Sequence, residues 1–302
     1  MKKLTITFDG TTDTTGYLFS LAKCLSAALR CSQYCDFSND IIATSGFAFR
    51  MWADPKELCP SATSIWEFKK QQPWAANGGL RCSYTERLWG EESIEESRRL
   101  QAIEQIKRSI DNDVAAIVWD ISGGEWGLIA GYDDDSSTLF TLKIDGTEDQ
   151  IPYEKLGQLD IPILSVLTVV GISPKLSDEL LSDTKRLAAS HLRGEEWCCN
   201  AKGLAAYSAL IEFIDTKLTA DTLWNLEYML GTYAALKWYA WKFFEKYQED
   251  ELAALYQEIY QAWQGAFDLL KAADILEHKT DLILLLQKAQ AAETTACDIL
   301  TE

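Results

Sequence analysis

The chain has 302 residues, of which 47% are hydrophobic and 11% aromatic, and such values are typical of a well-packed globular protein of one or two domains. Its 46 acidic residues outnumber its 28 basic residues and give a net charge of -18. A surface of that sign repels phosphate backbones and anionic lipids. The charge therefore disfavours nucleic acids and membrane surfaces as partners and favours a neutral or cationic ligand.

Nothing in the sequence indicates export or membrane insertion. The opening stretch, MKKLTITFDGTTDTTGYLF, meets polar residues before the apolar segment of a signal peptide can form. The longest apolar run, IPILSVLTVVGI, is too short to cross a bilayer. Eight scattered cysteines are typical of free thiols in a reducing compartment. We therefore expect a cytoplasmic bacterial protein.

The first elements in the chain are a short strand and a helix. The stretch LTITFDG alternates apolar and polar residues, which predicts a strand over residues 4–10. Residues 14–33 carry apolar side chains at helical spacing, which predicts a helix with Thr14 or Thr15 as its N-cap. The following residues 38–68 are interrupted by prolines and read as loops.

A second helix and several strands complete the first half. Residues 93–113 predict an amphipathic helix that begins with a capping box of Ser93 and Glu96. Its apolar stripe consists of Ile94, Leu100, Ile103, Ile106 and Ile110. Strands are then predicted over VAAIVWDI, EWGLIAGYD and TLFTLKI, with the last two joined in a hairpin by the polar turn DDDSS. QIPYEKLGQL reads as a connection, and IPILSVLTVVG as a buried closing strand. This order predicts an α+β domain with an antiparallel sheet.

From Ser173 onward the strand patterns stop, and five helical segments with short links predict an antiparallel all-α helical bundle. We therefore expect two domains, at residues 1–173 and 174–302. Two of the helical segments, 219–248 and 250–278, are rich in aromatic residues. Core packing explains such helices most simply, and a homodimer contact or a ligand pocket between the domains is the alternative.

Several motifs in the first half carry a resemblance to a known family. They are GLIAGYDDDSSTLFTLKIDG followed by IPYEKL, together with SGFAFRMW and CPS. Through these motifs, roughly residues 10–170 resemble the papain-like fold of the C39-like cysteine peptidases. The similarity is greatest to the N-terminal domains of the butirosin biosynthesis protein H family. The resemblance implies a papain-like domain in the first half, followed here by the helical half.

The resemblance also implies where a catalytic site belongs. In such a family the nucleophile is a cysteine at the N-terminus of the first helix, a histidine begins the strand before GYDD, and an acidic or amide residue on the next strand orients it. Here the nucleophile position falls among residues 14–20, which contain no cysteine, so that Thr14, Thr15 and Ser20 are the candidates. Glu125 occupies the histidine position, and Asp145 occupies the orienting position.

These exchanges disfavour peptidase chemistry. A hydroxyl needs a general base to become a nucleophile, and Glu125 beside Asp145 would be a carboxylate pair in which one pKa is raised by like charge. We therefore expect a catalytically degenerate domain whose pocket binds without cleaving. Trp126 should face away from Glu125 on the same strand, and Arg50 is a candidate salt-bridge partner of Glu125. The candidate ligand-binding residues are Thr14, Thr15, Ser20, Arg50, Glu125 and Trp126.

The remaining thiols and histidines offer few alternatives. Cys24 lies two turns inside the predicted helix on an apolar stretch, which favours a buried structural thiol. Cys59, in ELCPS, is the better candidate nucleophile, although loop packing is the simpler role. His191 with Cys198 and Cys199 does not match a paired-cysteine zinc pattern. We expect no metal and no cofactor.

Three functions follow from these observations. The first is the binding of a small amine-bearing molecule or a peptide without cleavage. The second, which the resemblance implies, is transfer of an acyl group from an acyl carrier protein to an amine, with Cys59 as the only plausible thiol. The third is an interaction or assembly role for the aromatic helical half.

Overall fold

The computed structural model describes residues 1–63, 68–195, 199–272 and 274–301. In this part of the chain the protein is α+β, with antiparallel strands and nine α-helices. The strands are β1 (Lys2–Lys3), β2 (Trp52–Ala53), β3 (Leu80–Arg87), β4 (Ala116–Val118), β5 (Gly127–Asp133), β6 (Thr138–Leu142), β7 (Glu148–Pro152), β8 (Leu164–Ile172) and β9 (Ala201–Lys202). The helices are α1 (Ser20–Arg30), α2 (Ile41–Thr44), α3 (Gln71–Asn77), α4 (Glu95–Asp111), α5 (Ser177–Leu192), α6 (Ala205–Thr216), α7 (Leu223–Lys246), α8 (Asp250–Ala272) and α9 (Lys279–Ile299).

The chain divides into two compact units, and each is built from three separate segments. The sheet unit comprises Met1–Thr11, Ser20–Ile41 and Glu67–Leu176, and the helical unit comprises Thr12–Phe19, Ile42–Trp66 and Ser177–Glu302. The sequence predicts a single boundary, at residues 173 and 174. The chain passes from the sheet unit to the helical unit for the last time after Leu176, three residues later than predicted. Two segments of the first half, Thr12–Phe19 and Ile42–Trp66, are part of the helical unit.

Residues 12–19 do not form the first turns of α1, so the prediction of an N-cap at Thr14 or Thr15 is wrong. The Asp13 carboxylate accepts hydrogen bonds from the Gly16 and Leu18 amides, at 2.9 and 3.2 Å. This turn places Gly16 at a φ of +83°, in the left-handed range that glycine tolerates. The Thr15 hydroxyl then donates to the Gly231 carbonyl of α7 at 2.8 Å. Contacts within the helical unit therefore hold this segment in place.

The second early segment adds a small sheet to the helical unit. Trp52 of β2 pairs with Lys202 of β9 in antiparallel register. The Tyr233 hydroxyl on α7 accepts a hydrogen bond from the Trp52 amide at 2.8 Å and donates to the Trp52 carbonyl at 2.5 Å. The expectation of an all-α second domain is therefore wrong, because a two-stranded sheet is part of this unit.

The sheet unit contains a seven-stranded antiparallel sheet in the order β3-β8-β4-β5-β6-β7, with β1 paired to β5. The predicted hairpin is confirmed, since Asp133 of β5 pairs with Thr138 of β6. Three predictions along this part of the chain are wrong. Residues 4–10 are not a strand, and β3 lies where no strand was predicted. The stretch QIPYEKLGQL, predicted as a connection, begins with residues 150–152 of β7.

Helix α4 packs against β3, β5 and β8 and supplies the core of the sheet unit. Ile103, Ile106 and Ile110 of the predicted stripe lie in this core, whereas Leu100 is 56% exposed. The predicted capping box is also absent at the start of this described helix, because a 3₁₀ turn over Glu92–Ile94 precedes it and no side chain caps it. The stripe therefore faces the sheet only from the second turn onward.

The five helices predicted for the second half are confirmed as α5 to α9. Helix α7 packs along α8, and α9 packs along both α8 and α6. Of the aromatic residues on α8, Tyr256, Trp263 and Phe267 are buried, in agreement with core packing. Trp224, at the start of α7, is instead 58% exposed. Among the described helices, none has both the length and the apolar character needed to cross a bilayer.

Candidate functional site

Two of the sequence-predicted site residues contact each other in the sheet unit. Ser20 is the first residue of α1, and its hydroxyl donates a short hydrogen bond to the Glu125 carboxylate. The same hydroxyl oxygen accepts a hydrogen bond from the Trp126 backbone amide at 3.2 Å. Ser20 is 2% exposed and Trp126 is fully buried, whereas Glu125 is half-buried. Ser20, a candidate for the predicted nucleophile position, therefore contacts Glu125, the residue predicted at the histidine position.

The loop before Glu125 is fixed by a carboxylate that the sequence analysis did not identify. Asp120 is buried, and it accepts hydrogen bonds from the Gly124 amide and the Ile161 amide, each at 2.6 Å. Burial raises the pKa of Asp120 above its usual value, and the hydrogen bonds from these amides oppose the shift. Gly123 and Gly124 both adopt positive φ, so only this glycine pair lets the loop turn so tightly before β5. The sequence signal was an aspartate two residues ahead of SGG.

An aromatic cluster lies behind this loop. The Phe68 ring centroid is 4.9 Å from that of Trp119 and 5.1 Å from that of Trp126, and the two indoles are 5.5 Å apart. Trp126 therefore packs into the core of the sheet unit, and both it and the half-buried Glu125 precede β5, which begins at Gly127. The prediction that this pair alternates along one strand does not apply, because neither residue lies in a strand. Trp126 is therefore a packing residue in the core of the sheet unit.

The Ser20 hydroxyl is in a poor position to attack a substrate. Its proton is directed at Glu125, one of its lone pairs accepts the Trp126 amide, and almost none of its surface is exposed. A carboxylate is in addition a weak base for a hydroxyl, because general bases work best with a pKa near the working pH. The local chemistry is that of a structural hydrogen-bonded pair.

The structure does not bring Asp145 to this pair. Asp145 is exposed in the turn between β6 and β7, where its carboxylate accepts a hydrogen bond from the Thr147 amide at 2.8 Å. That hydrogen bond lowers the pKa of Asp145 below its usual value. Asp145 makes no hydrogen bond or ion pair with Glu125 in the described residues. Its placement in the orienting position, one strand later, is wrong, because β6 ends at Leu142 before reaching it.

Neither candidate thiol has the surroundings of an activated nucleophile. Cys24 is fully buried in α1, and this burial raises the pKa of its thiol well above the usual value. Cys59 is exposed in the helical unit, where its sulfur lies 3.0 Å from the Ser61 hydroxyl. In the described residues no basic side chain contacts the Cys59 sulfur. Burial outweighs the effect of Lys23 at Cys24, and in the described residues Cys59 lacks the cationic partner that stabilises a thiolate in cysteine enzymes.

The other predicted ligand-binding residues belong to the helical unit. Arg50 is 4% exposed, and its guanidinium lies 4.4 Å from the Trp52 ring, 5.0 Å from the Phe19 ring and 5.2 Å from the Phe47 ring. Its Nη2 also donates to the Thr63 carbonyl at 3.3 Å. Such cation–π packing explains why a buried arginine is tolerated in this aromatic region. Thr14 and Thr15 lie in the segment that docks on α7.

A zinc site built on the remaining candidates is not supported by geometry. His191 is fully buried in α5, and Cys199 is exposed. Cys198 lies outside the described residues. In the described part of the chain, no group of three histidine, cysteine or acidic side chains could hold a metal ion.

A cavity of about 290 Å³ lies in the sheet unit beside the C-terminal half of α4, and we call it the α4 cavity. Gln105 forms one wall, where its amide donates to the Ser83 carbonyl at 2.9 Å and to the Thr168 hydroxyl at 3.0 Å. The half-exposed side chain of Val170 supplies an apolar surface. The polar residues that line the cavity are Tyr34, Ser83, Gln101, Gln105, Arg108, Ser109, Asn112 and Thr168.

Three groups in the α4 cavity are available to a ligand. Arg108 forms no ion pair in the described residues, and the Tyr34 hydroxyl forms no hydrogen bond there. Asn112 donates through its amide nitrogen to the Arg108 carbonyl at 2.7 Å, which leaves its amide oxygen as an acceptor. Sequence reasoning missed this cavity because its residues come from four distant segments of the chain.

No protein-family model matches the chain, and no curated protein matches it significantly.

Proposed function

We propose that this protein binds an amine-bearing small molecule, or the end of a peptide, and does not cleave it. The observation that carries the proposal is the hydrogen-bonded group of Ser20, Glu125 and the Trp126 amide. The Ser20 hydroxyl has its proton and a lone pair engaged in hydrogen bonds and is almost fully buried. Such a hydroxyl serves the stability of the fold. The fold would then retain a peptidase-like framework whose reactive positions serve stability.

The chemistry of the α4 cavity supports an amine-bearing ligand. The cavity lies at the C-terminal end of α4, where the helix dipole favours a positive group. Asn112 offers its amide oxygen, and Tyr34 offers its hydroxyl, as acceptors for an ammonium group. Arg108 is positioned to pair with a carboxylate of the same ligand. A volume of about 290 Å³ suits a free amino acid or a single peptide terminus.

Acyl transfer through Cys59 has less support. In the described residues the Cys59 sulfur contacts a serine hydroxyl and no base, and an acyl-enzyme mechanism requires a thiolate. The wild-type protein should accordingly show no acyl transfer from an acyl carrier protein, and Cys59→Ser should behave as the wild type does.

The proposal is tested by calorimetry and thermal shift with a panel of free amino acids, their decarboxylated amines and their deaminated acids. We expect stabilisation by compounds that carry an amine, with the strongest effect when a carboxylate is also present. Arg108→Gln should weaken binding of the amino acids about tenfold, since a charge-assisted hydrogen bond is lost. Arg186→Gln, which removes an exposed arginine of α5, is the matched control and should bind as the wild type does.

Glu125→Gln distinguishes two placements of the ligand. Unchanged affinity in this variant agrees with the α4 cavity, whereas lost affinity would place the ligand at Glu125. The proposal is wrong if no amine-bearing compound binds, or if the wild-type protein hydrolyses a peptide library.

A further inference from the structure

A groove of about 670 Å³ runs between α6 and α9 in the helical unit. Its floor is apolar and is formed by Ile211 of α6 with Ile283 and Leu284 of α9. Leu284, in the second turn of α9, is 57% exposed and presents its side chain to the groove. Two carboxylates, Glu212 and Asp215, line the α6 side of the groove.

The two carboxylates are placed where they weaken the helix that carries them. Glu212 and Asp215 lie in the last turns of α6, where the negative end of the helix dipole disfavours anions. They are also three residues apart, so that they repel each other on one face of the helix. Neither forms an ion pair in the described residues. A stability role does not account for this arrangement.

The lysines that flank the groove residues in sequence are engaged elsewhere. Lys217 donates to the Pro55 carbonyl at 2.7 Å, and Lys279 donates to the Leu218 carbonyl at 3.0 Å. Lys288 pairs with Glu258 at 3.5 Å. The charge that the groove presents to a partner is therefore negative, around an apolar floor.

We propose that this groove, which we call the α6–α9 groove, docks a basic amphipathic helix of a partner protein. The apolar side chains of such a helix would pack on Ile283 and Leu284, and its lysines or arginines would pair with Glu212 and Asp215, as in other helix-in-groove interactions. Charge complementarity selects this occupant over a second copy of the chain, because two copies each carry a net charge of -18.

The probe is a fluorescein-labelled peptide of about 18 leucine and lysine residues in an amphipathic helical pattern, long enough for five turns. A second peptide of the same pattern carries glutamate in place of lysine. In fluorescence anisotropy the full chain should bind the basic peptide and not the acidic one. Affinity should fall as salt rises from about 50 to about 300 mM, since exposed charges are screened.

Two variants separate specific docking from attraction to an acidic protein. Glu212→Gln with Asp215→Asn should weaken binding about fivefold to tenfold. The matched control is Asp135→Asn with Glu154→Gln, which removes the same charge from exposed sites of the sheet unit and should leave the affinity within about twofold. Leu284→Ser should weaken binding about tenfold through the apolar contact. Because Leu284 is exposed, this variant is expected to fold, and circular dichroism checks that it does.

The inference is overturned if the two double variants lose affinity equally, or if Leu284→Ser binds as tightly as the wild type. It is also overturned if sedimentation shows a dimer that Leu284→Ser dissociates, since a second copy would then occupy the groove. Binding of amino acids in the α4 cavity involves other residues, so its success or failure leaves this result unaffected.

Discussion

The ammonium group of Lys237 on α7 lies 2.5 Å from the carboxylate of Glu293 on α9, and neither side chain has exposed surface. The Tyr207 hydroxyl of α6 donates to the second carboxylate oxygen at 2.7 Å and accepts the Trp263 indole N–H of α8 at 2.8 Å. Four helices thus share one buried polar network. A buried ion pair is tolerated only when such additional hydrogen bonds accompany it.

Removal of one member of this pair should be strongly destabilising. In Lys237→Met the Glu293 carboxylate stays buried without its cation, and we expect a loss of about 3–5 kcal/mol in the free energy of unfolding. The double variant Lys237→Met with Glu293→Leu should recover much of that loss, because no buried charge remains. Urea unfolding followed by tryptophan fluorescence measures all three proteins.

An exposed pair on the same helix provides the control for this measurement. Lys242 and Glu245 are 2.8 Å apart at the surface of α7, and Lys242→Met should cost less than about 1 kcal/mol. If Lys237→Met costs no more than Lys242→Met, the buried network does not form in solution.

His191 should make the stability of the protein depend on pH. It is fully buried in α5, and this burial, with Arg50 and Lys237 nearby, holds its pKa well below the usual value. Its ring also lies against Gly46, where an added Cβ would be 2.3 Å from Nε2. Below about pH 6.5 the histidine is protonated in the unfolded chain but stays neutral in the folded chain. The contribution of His191 to the free energy of unfolding is therefore fully present above that pH and decreases as the pH falls.

The expected size of this effect is about 2 kcal/mol between about pH 7.5 and about pH 5 for a single histidine. His191→Gln should lower stability at neutral pH and flatten the dependence over this window. His278, which is exposed beside Asp281 at 3.2 Å, is the control, and His278→Asn should retain the wild-type slope. Equal slopes in the wild type and in His191→Gln would mean that His191 titrates normally in the folded state.

The Ser20 hydroxyl should contribute stability and no activity. Ser20→Ala leaves the buried Trp126 amide without its acceptor and removes the donor to Glu125, at a cost of about 1–3 kcal/mol. Ser136→Ala, at the exposed hairpin tip, should cost less than about 0.5 kcal/mol. Thermal unfolding of the two variants tests this difference, and a Ser20→Ala protein as stable as the wild type would contradict the structural role.

Local patterns in the sequence predicted the regular elements that have a clear period. The five helices of the second half and the β5–β6 hairpin repeat their apolar residues at the spacing that the structure uses. The resemblance also gave two positions, Ser20 and Glu125, that lie in contact. Strand β3 was missed because LRCSYTER is mostly polar, as suits an edge strand. Its Arg87 is nevertheless buried, and donates to the Gly157 and Pro162 carbonyls.

Features that depend on distant segments could not be predicted in this way. Asp120 fixes the loop before Glu125 through Ile161, some forty residues away along the chain. Residues 12–19 belong to the helical unit because of hydrogen bonds to α7, although their composition is that of a helix start. Lys237 and Glu293 look like surface charges in sequence, since only the fold places them opposite each other.

The last prediction concerns the order in which the cysteines react with iodoacetamide. Cys59 is exposed in a loop, whereas Cys24 is buried and its thiol pKa is raised by that burial. Burial likewise raises the pKa of Cys82 to about 12, so little thiolate exists there at neutral pH. Among these three cysteines, Cys59 should therefore be alkylated in the native protein, and Cys24 and Cys82 only after denaturant is added. Peptide mass spectrometry at successive times gives the rate for each residue. If Cys24 in the native protein were alkylated as fast as Cys59, α1 would have to carry an accessible thiolate. Cys24 would then be a candidate nucleophile.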